Sequence, residues 1–132
     1  MDWIKWDHTL VLGHDALDAE HRQLVALVNQ LANCIVTNAG KEAYDALLDD
    51  LLSHTRAHFG TEERLMAACA YPYAEEHRAV HVRLIKDALD YRAKFSDSTQ
   101  PSISLLFFFD KWLSRHILTF DRELASFLAG IK

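Results

Sequence analysis

Leu47-Leu48-Asp49-Asp50-Leu51-Leu52-Ser53-His54-Thr55-Arg56-Ala57-His58-Phe59-Gly60-Thr61-Glu62-Glu63-Arg64-Leu65 is the stretch on which the fold turns. Leu47, Leu51, Thr55, His58, Glu62 and Leu65 recur at spacings of three and four, the period of one face of an α-helix. That predicts a helix B from about Lys41 to about Ala67, opening after Asn38-Ala39-Gly40 and closing at Cys69-Ala70-Tyr71-Pro72. The stripe is chemically odd. A face meant for the core carries an imidazole and a carboxylate among its leucines.

The same period extends on both sides. Upstream, helix A is expected from about Ala19 to Thr37, with Asp18 as its cap and the stripe His21, Leu24, Val28, Leu31 and Ile35. Downstream, helix C from about Tyr73 to Phe95 places His77, Val80, His81, Leu84, Ala88 and Tyr91 on one face. The polar run Ser96-Asp97-Ser98-Thr99-Gln100-Pro101 reads as a loop before helix D, from about Ser102 to Leu128, whose stripe is Leu106, Phe109, Leu113, His116, Phe120, Leu124 and Phe127. Apart from Gly60 inside helix B, the four glycines and two prolines fall where these patterns stop, leaving little room for strands. The expected class is all-α: an up-down-up-down four-helix bundle behind an irregular N-terminal segment.

At 132 residues, half of them hydrophobic, the chain has material for one domain and one sizeable core. Nineteen acidic against fourteen basic residues give a net charge of −5 with no block of either sign, so neither nucleic acid nor an acidic membrane is an expected partner. Met1-Asp2-Trp3-Ile4-Lys5-Trp6-Asp7 carries charges where an export signal would be apolar, and the run Leu105 to Phe109 is too short to span a bilayer. A soluble, cytoplasmic protein is expected. Cys34 and Cys69 lie in separate helices without CxxC spacing and read as reduced thiols. Trp3, Trp6 and Trp112 read as packing anchors.

Burying a carboxylate or a half-satisfied imidazole costs several kcal/mol unless the groups pair or hold a metal. A bundle brings its four inner faces to one axis, where a shared metal offsets that cost for all of them together. His58 and Glu62, like His77 and His81, stand four apart and project side by side. His116 and Asp121 stand five apart, a wider angle suited to a carboxylate reaching round to bridge, and His21 completes the set from helix A. Imidazole with carboxylate suits iron, manganese or zinc, and the lack of a thiolate at this level argues against structural zinc or an iron–sulfur cluster. Glu63 points about 100° round the helix from Glu62, toward the surface or a supporting role.

Along nearly its whole length the chain resembles the hemerythrin family, and the bacterial hemerythrin-like proteins in particular. Trp6-Asp7, Leu17-Asp18-Ala19-Glu20-His21-Arg22-Gln23-Leu24, His58-Phe59-Gly60-Thr61-Glu62-Glu63 with Met66 and Tyr71-Pro72, His77-Arg78-Ala79-Val80-His81 and Trp112-Leu113-Ser114-Arg115-His116-Ile117-Leu118-Thr119-Phe120-Asp121 carry the likeness, in order. The resemblance implies two iron ions joined by an oxo or hydroxo bridge. His77, His81 and His116 would bind one iron, His21 and His58 the other, and Glu62 and Asp121 both. One position would then stay open, on the iron with two histidines. Family members often carry an aromatic residue where this chain has Leu124, so no tyrosine hydrogen bond is expected there. His8, His14 and His54 match no ligand position.

Reversible binding of molecular oxygen is the expected function, as a carrier, store or delivery protein. Imidazoles predominate, and the Glu-x-x-His motif of carboxylate-rich di-iron enzymes does not occur. No general acid or base is assigned, and the chain is not expected to be an enzyme. Leu113 and Thr119, one turn either side of His116, are expected to line the oxygen pocket, with Leu113 excluding water. Two alternatives are an oxygen or redox sensor acting through a partner and a di-iron enzyme acting on peroxide or nitric oxide. With helix D running almost to Lys132 and no output domain after it, the carrier is expected over the sensor.

Overall fold

The computed structural model describes residues 3–94 and 103–130. Its elements are α1 (Asp15–Val36), α2 (Lys41–Cys69), α3 (Ala74–Lys94), α4 (Ile103–Arg115), a π-helical turn (His116–Asp121) and α5 (Arg122–Ala129). Arg115, Asp121 and Arg122 all have right-handed helical backbone, so α4, the π turn and α5 run on as one rod. The fold is an up-down-up-down four-helix bundle, with no strand among the described residues. Phe95, the loop 96–101 and Ser102 lie outside the described residues.

Helix α1 begins four residues before the expected start. His14 is its cap, in extended conformation, with Nδ1 accepting from Leu17 N–H at 3.3 Å. Asp18 is therefore not the cap. It lies in the first turn and reaches back to accept from the N–H groups of Leu12 (2.8 Å) and Gly13 (3.1 Å), tying down the entering loop. Ala70, in left-handed conformation (φ 53°), ends α2 two residues beyond the expected stop. The N-terminal segment is clamped to α1 by Asn29, which accepts from Ile4 N–H at 2.7 Å and donates to Ile4 C=O at 2.8 Å.

The main core packs Leu24, Val28 and Leu31 of α1 against Leu48, Leu51 and Leu52 of α2 and Phe109 of α4. In α2 the buried stripe is Tyr44, Leu48, Leu51, Thr55, His58, Glu62 and Met66, while Leu47 stands at its edge. A smaller cluster of Met66, Tyr71 and Leu124 closes the other end. The tryptophans pack as expected: Trp3 edge-on to Phe107, Trp6 beneath Arg22, and Trp112 donating Nε1–H to Leu84 C=O at 2.9 Å. Both cysteines are free thiols. No helix among the described residues is long and apolar enough to cross a membrane.

Candidate metal centre

The polar residues on the inner stripes meet between these two apolar clusters. Their ligand atoms form two overlapping groups, each within a 4.8 Å span: Glu62, His77, His81, His116 and Asp121, and His21, His58, Glu62 and Asp121. All seven side chains are at most 3% exposed. The groups share only the two carboxylates. Asp121 divides its oxygens between them, Oδ2 lying 2.6 Å from His21 Nε2 and 3.0 Å from His58 Nε2, Oδ1 2.8 Å from His116 Nε2. Glu62 turns Oε1 to His81 (3.0 Å), His116 (3.3 Å), His77 (3.5 Å) and His58 (3.5 Å).

In α2 and α3 the four-residue spacing does this with ordinary helical geometry. The fourth rod does it differently. Five residues along an α-helix would turn Asp121 about 140° from His116. The wider π turn instead returns both to one face, so the wide angle read from the spacing is not what the chain adopts. Thr119 is displaced by the same turn. It is exposed and lines a surface groove with Tyr71, Tyr73, Glu123 and Phe127, not the pocket expected beside Leu113. Leu113 itself is buried, bordering a cavity of about 10 Å³ with Leu24, Phe59, Trp112 and His116.

The atoms fit a bound cation better than they fit each other. Glu62 Oε2, Asp121 Oδ1 and His77 Nε2 are buried without a hydrogen-bond partner. Asp121 Oδ1 stands 2.8 Å from His116 Nε2 yet makes no hydrogen bond. A nitrogen and an oxygen that close but out of hydrogen-bond alignment are spaced as two ligands of one cation would be. Without a cation, protons take over part of that role. Burial opposes charge on His58, but hydrogen bonds to Asp121 and Glu20 outweigh it and raise the imidazole to about 10. His77 rises to about 9 against the same burial, through Asp121 and Glu62. Burial and the neighbouring Asp121 push Glu62 upward, yet the imidazoles of His116, His77 and His81 turned toward its carboxylate bring it down to about 2.

A supporting layer surrounds these groups. His58 Nδ1 donates to Glu20 Oε1 at 2.8 Å, and His81 Nδ1 to Glu63 Oε2 at 3.2 Å, each leaving Nε2 free to face inward. Phe59 stacks flat on His81, with 3.8 Å between centroids. Glu63 thus has the supporting role expected as one option. Glu20 and Phe59 escaped the spacing argument because each acts on a residue that no helical repeat links to it. His8 and His54 are exposed, and His14 caps α1.

The profile of the hemerythrin HHE cation binding domain matches residues 12–128. The chain belongs to the hemerythrin family. Similar family members include a bacteriohemerythrin of Stenotrophomonas maltophilia, 30% identical across 95% of this chain and 81% of its own length. A myohemerythrin of Riftia pachyptila is 31% identical across 88% of this chain and 86% of its own. Among solved structures, the crystal structure of a hemerythrin point mutant superposes with a TM-score of 0.87 at 23% identity, covering 98% of this chain and all of that one. That likeness confirms the fold of the hemerythrin family. The cation-binding character of the family accords with the buried cluster.

Proposed function

We propose that the chain is a non-catalytic oxygen-binding protein that holds two iron ions, joined by an oxo or hydroxo bridge, and takes up molecular oxygen reversibly. The observation that supports it best is the unequal pair of ligand groups, three imidazoles against two, sharing both carboxylates beside a small apolar cavity. His77, His81 and His116 would hold one ion and His21 and His58 the other, with Glu62 and Asp121 spanning both. The iron pair, when bound, would supply the redox capacity for reversible oxygen uptake. The chain supplies the rest. Glu20 and Glu63 orient the imidazoles of His58 and His81. Leu113, Leu24 and Phe59 keep the adjoining cavity apolar and too small for more than about one water-sized guest, which slows entry of water and anions.

Absorption spectra of the anaerobically reduced protein, before air, after air and after deoxygenation, test this. A carrier should gain a long-lived visible band in air and recover its starting spectrum when oxygen is removed. Irreversible bleaching, with turnover of added peroxide or nitric oxide, would overturn the carrier reading in favour of an enzyme.

A further inference from the structure

Glu20 is gripped from two sides. Its Oε1 accepts from His58 Nδ1 and its Oε2 from the hydroxyl of Thr61, both at 2.8 Å. The hydroxyl has one hydrogen and a second acceptor in reach, Ala57 C=O at 3.2 Å, but the ionised and closer carboxylate is the stronger acceptor. Arg64 Nη2 in turn donates to Thr61 Oγ1 at 3.3 Å. A run of donors therefore leads from Arg64 through Thr61 to Glu20, where it meets the imidazole coming from the opposite side. Each bond polarises the next. The Glu20 side chain is 27% exposed, so without Thr61 one carboxylate oxygen would be open to water and the ring's partner free to turn. On the other side of the centre Glu63 reaches His81 at the longer 3.2 Å with a side chain 41% exposed.

We propose that Thr61 is a positioning residue for the metal centre. Through Glu20 it fixes the rotation and tautomer of His58, so that Nε2 is presented to the cation shared with His21. The proposal rests on the two-cation reading above and concerns only the two-histidine half.

Thr61→Val keeps the branched shape and loses the hydroxyl, while Thr61→Ser keeps the hydroxyl. Each full-length variant is titrated anaerobically with ferrous iron against a competing chelator. In Thr61→Val one of the two stepwise binding constants should fall by ~3- to ~10-fold, the range of one net hydrogen bond. The other should stay, and Thr61→Ser should match the parent in both. A second measurement needs no metal: exchange of the His58 Nδ1 proton with water, followed by NMR, should quicken in Thr61→Val and not in Thr61→Ser. Equal weakening of both constants, an unchanged Thr61→Val, or a Thr61→Ser as impaired as Thr61→Val would each overturn the proposal. A parent that titrates to a single ion would overturn the two-cation reading, which is judged on the parent alone and not on the variants.

Discussion

Two walls of the metal centre reach the same result by different routes. In α2, His58 and Glu62 stand four apart in regular helix, and any helix with this sequence would turn them to one side. In the fourth rod, His116 and Asp121 stand five apart and share a face only because the backbone opens into a π turn between them. Such turns are rare and gather at functional sites. Here Asp121 sits among His21, His58 and His116 within 3.0 Å, contacts that reward the unusual backbone. The α2 wall is thus built into the local chain, whereas the π wall depends on what it faces. Disturbances of the centre should be felt unequally on the two.

The sharpest test changes the count on each wall. An alanine inserted after Gly60 rotates Glu62 by about 100° and should abolish paired cation binding, read as metal per chain. Deleting Thr119 places His116 and Asp121 four apart, where regular α-helix aligns them, and should leave binding weakened but present. Equal loss in both variants would show that the π turn is indispensable in itself and break the comparison.

Cation removal should come next in size. Amides of residues 116–121 are expected to lose at least ~10-fold more protection from hydrogen exchange on chelation than those of residues 55–65, since local stability follows the contacts that hold a segment. Uniform loss along both would mean that α2 leans on the metal as heavily as the π turn does.

The pH dependence of the metal-free chain sharpens the electrostatic side. His58, raised to about 10 from 6.5, adds stability that is full below pH 6.5 and is lost as pH rises through about 10. Glu62, lowered to about 2 from 4.5, adds stability that is full above pH 4.5 and is lost as pH falls through about 2. Thermal melts of the metal-free protein should therefore be highest between about 4.5 and 6.5. Cations displace these protons, so loading should release acid, measurable in weakly buffered solution, and should move the optimum upward. An optimum unmoved by metal would count against proton–metal competition.

The smallest effect belongs to a histidine on the outer side of α2. His54→Ala should alter stability by no more than ~0.5 kcal/mol and leave the metal content unchanged, because His54 is exposed. His81→Ala, by contrast, removes a buried group 3.0 Å from Glu62 and should lose metal. Comparable metal loss in the two variants would mean the inward face of α2 has been misassigned.

Most of the bundle and the members of the cluster were legible in the sequence because helical periodicity is a local property: stripes of three and four marked the inward faces, and the histidines fell on them. The start of α1 was misplaced because Asp18 looks like a cap, yet hydrogen-bonds back to Leu12 and Gly13 while His14 caps. Thr119 was misplaced because the α-helical period was carried through a segment that does not obey it. The odd spacing of His116 and Asp121, two inward polar residues out of step with α-helix, was the one signal that could have warned of the turn.

By itself the sequence determined that this chain forms four amphipathic helices, that its inner faces carry five histidines and two carboxylates, and that it resembles the hemerythrin family. Those are facts of order and period along one chain. Only the tertiary structure decided that a π turn brings Asp121 to the face of His116, that Glu20 and Thr61 stand behind His58, and that Phe59 lies flat on His81. Each of these depends on side chains from different turns or helices meeting in space. No local spacing encodes such a meeting, because it is set by how the helices pack and by the cost of leaving buried polar atoms without partners.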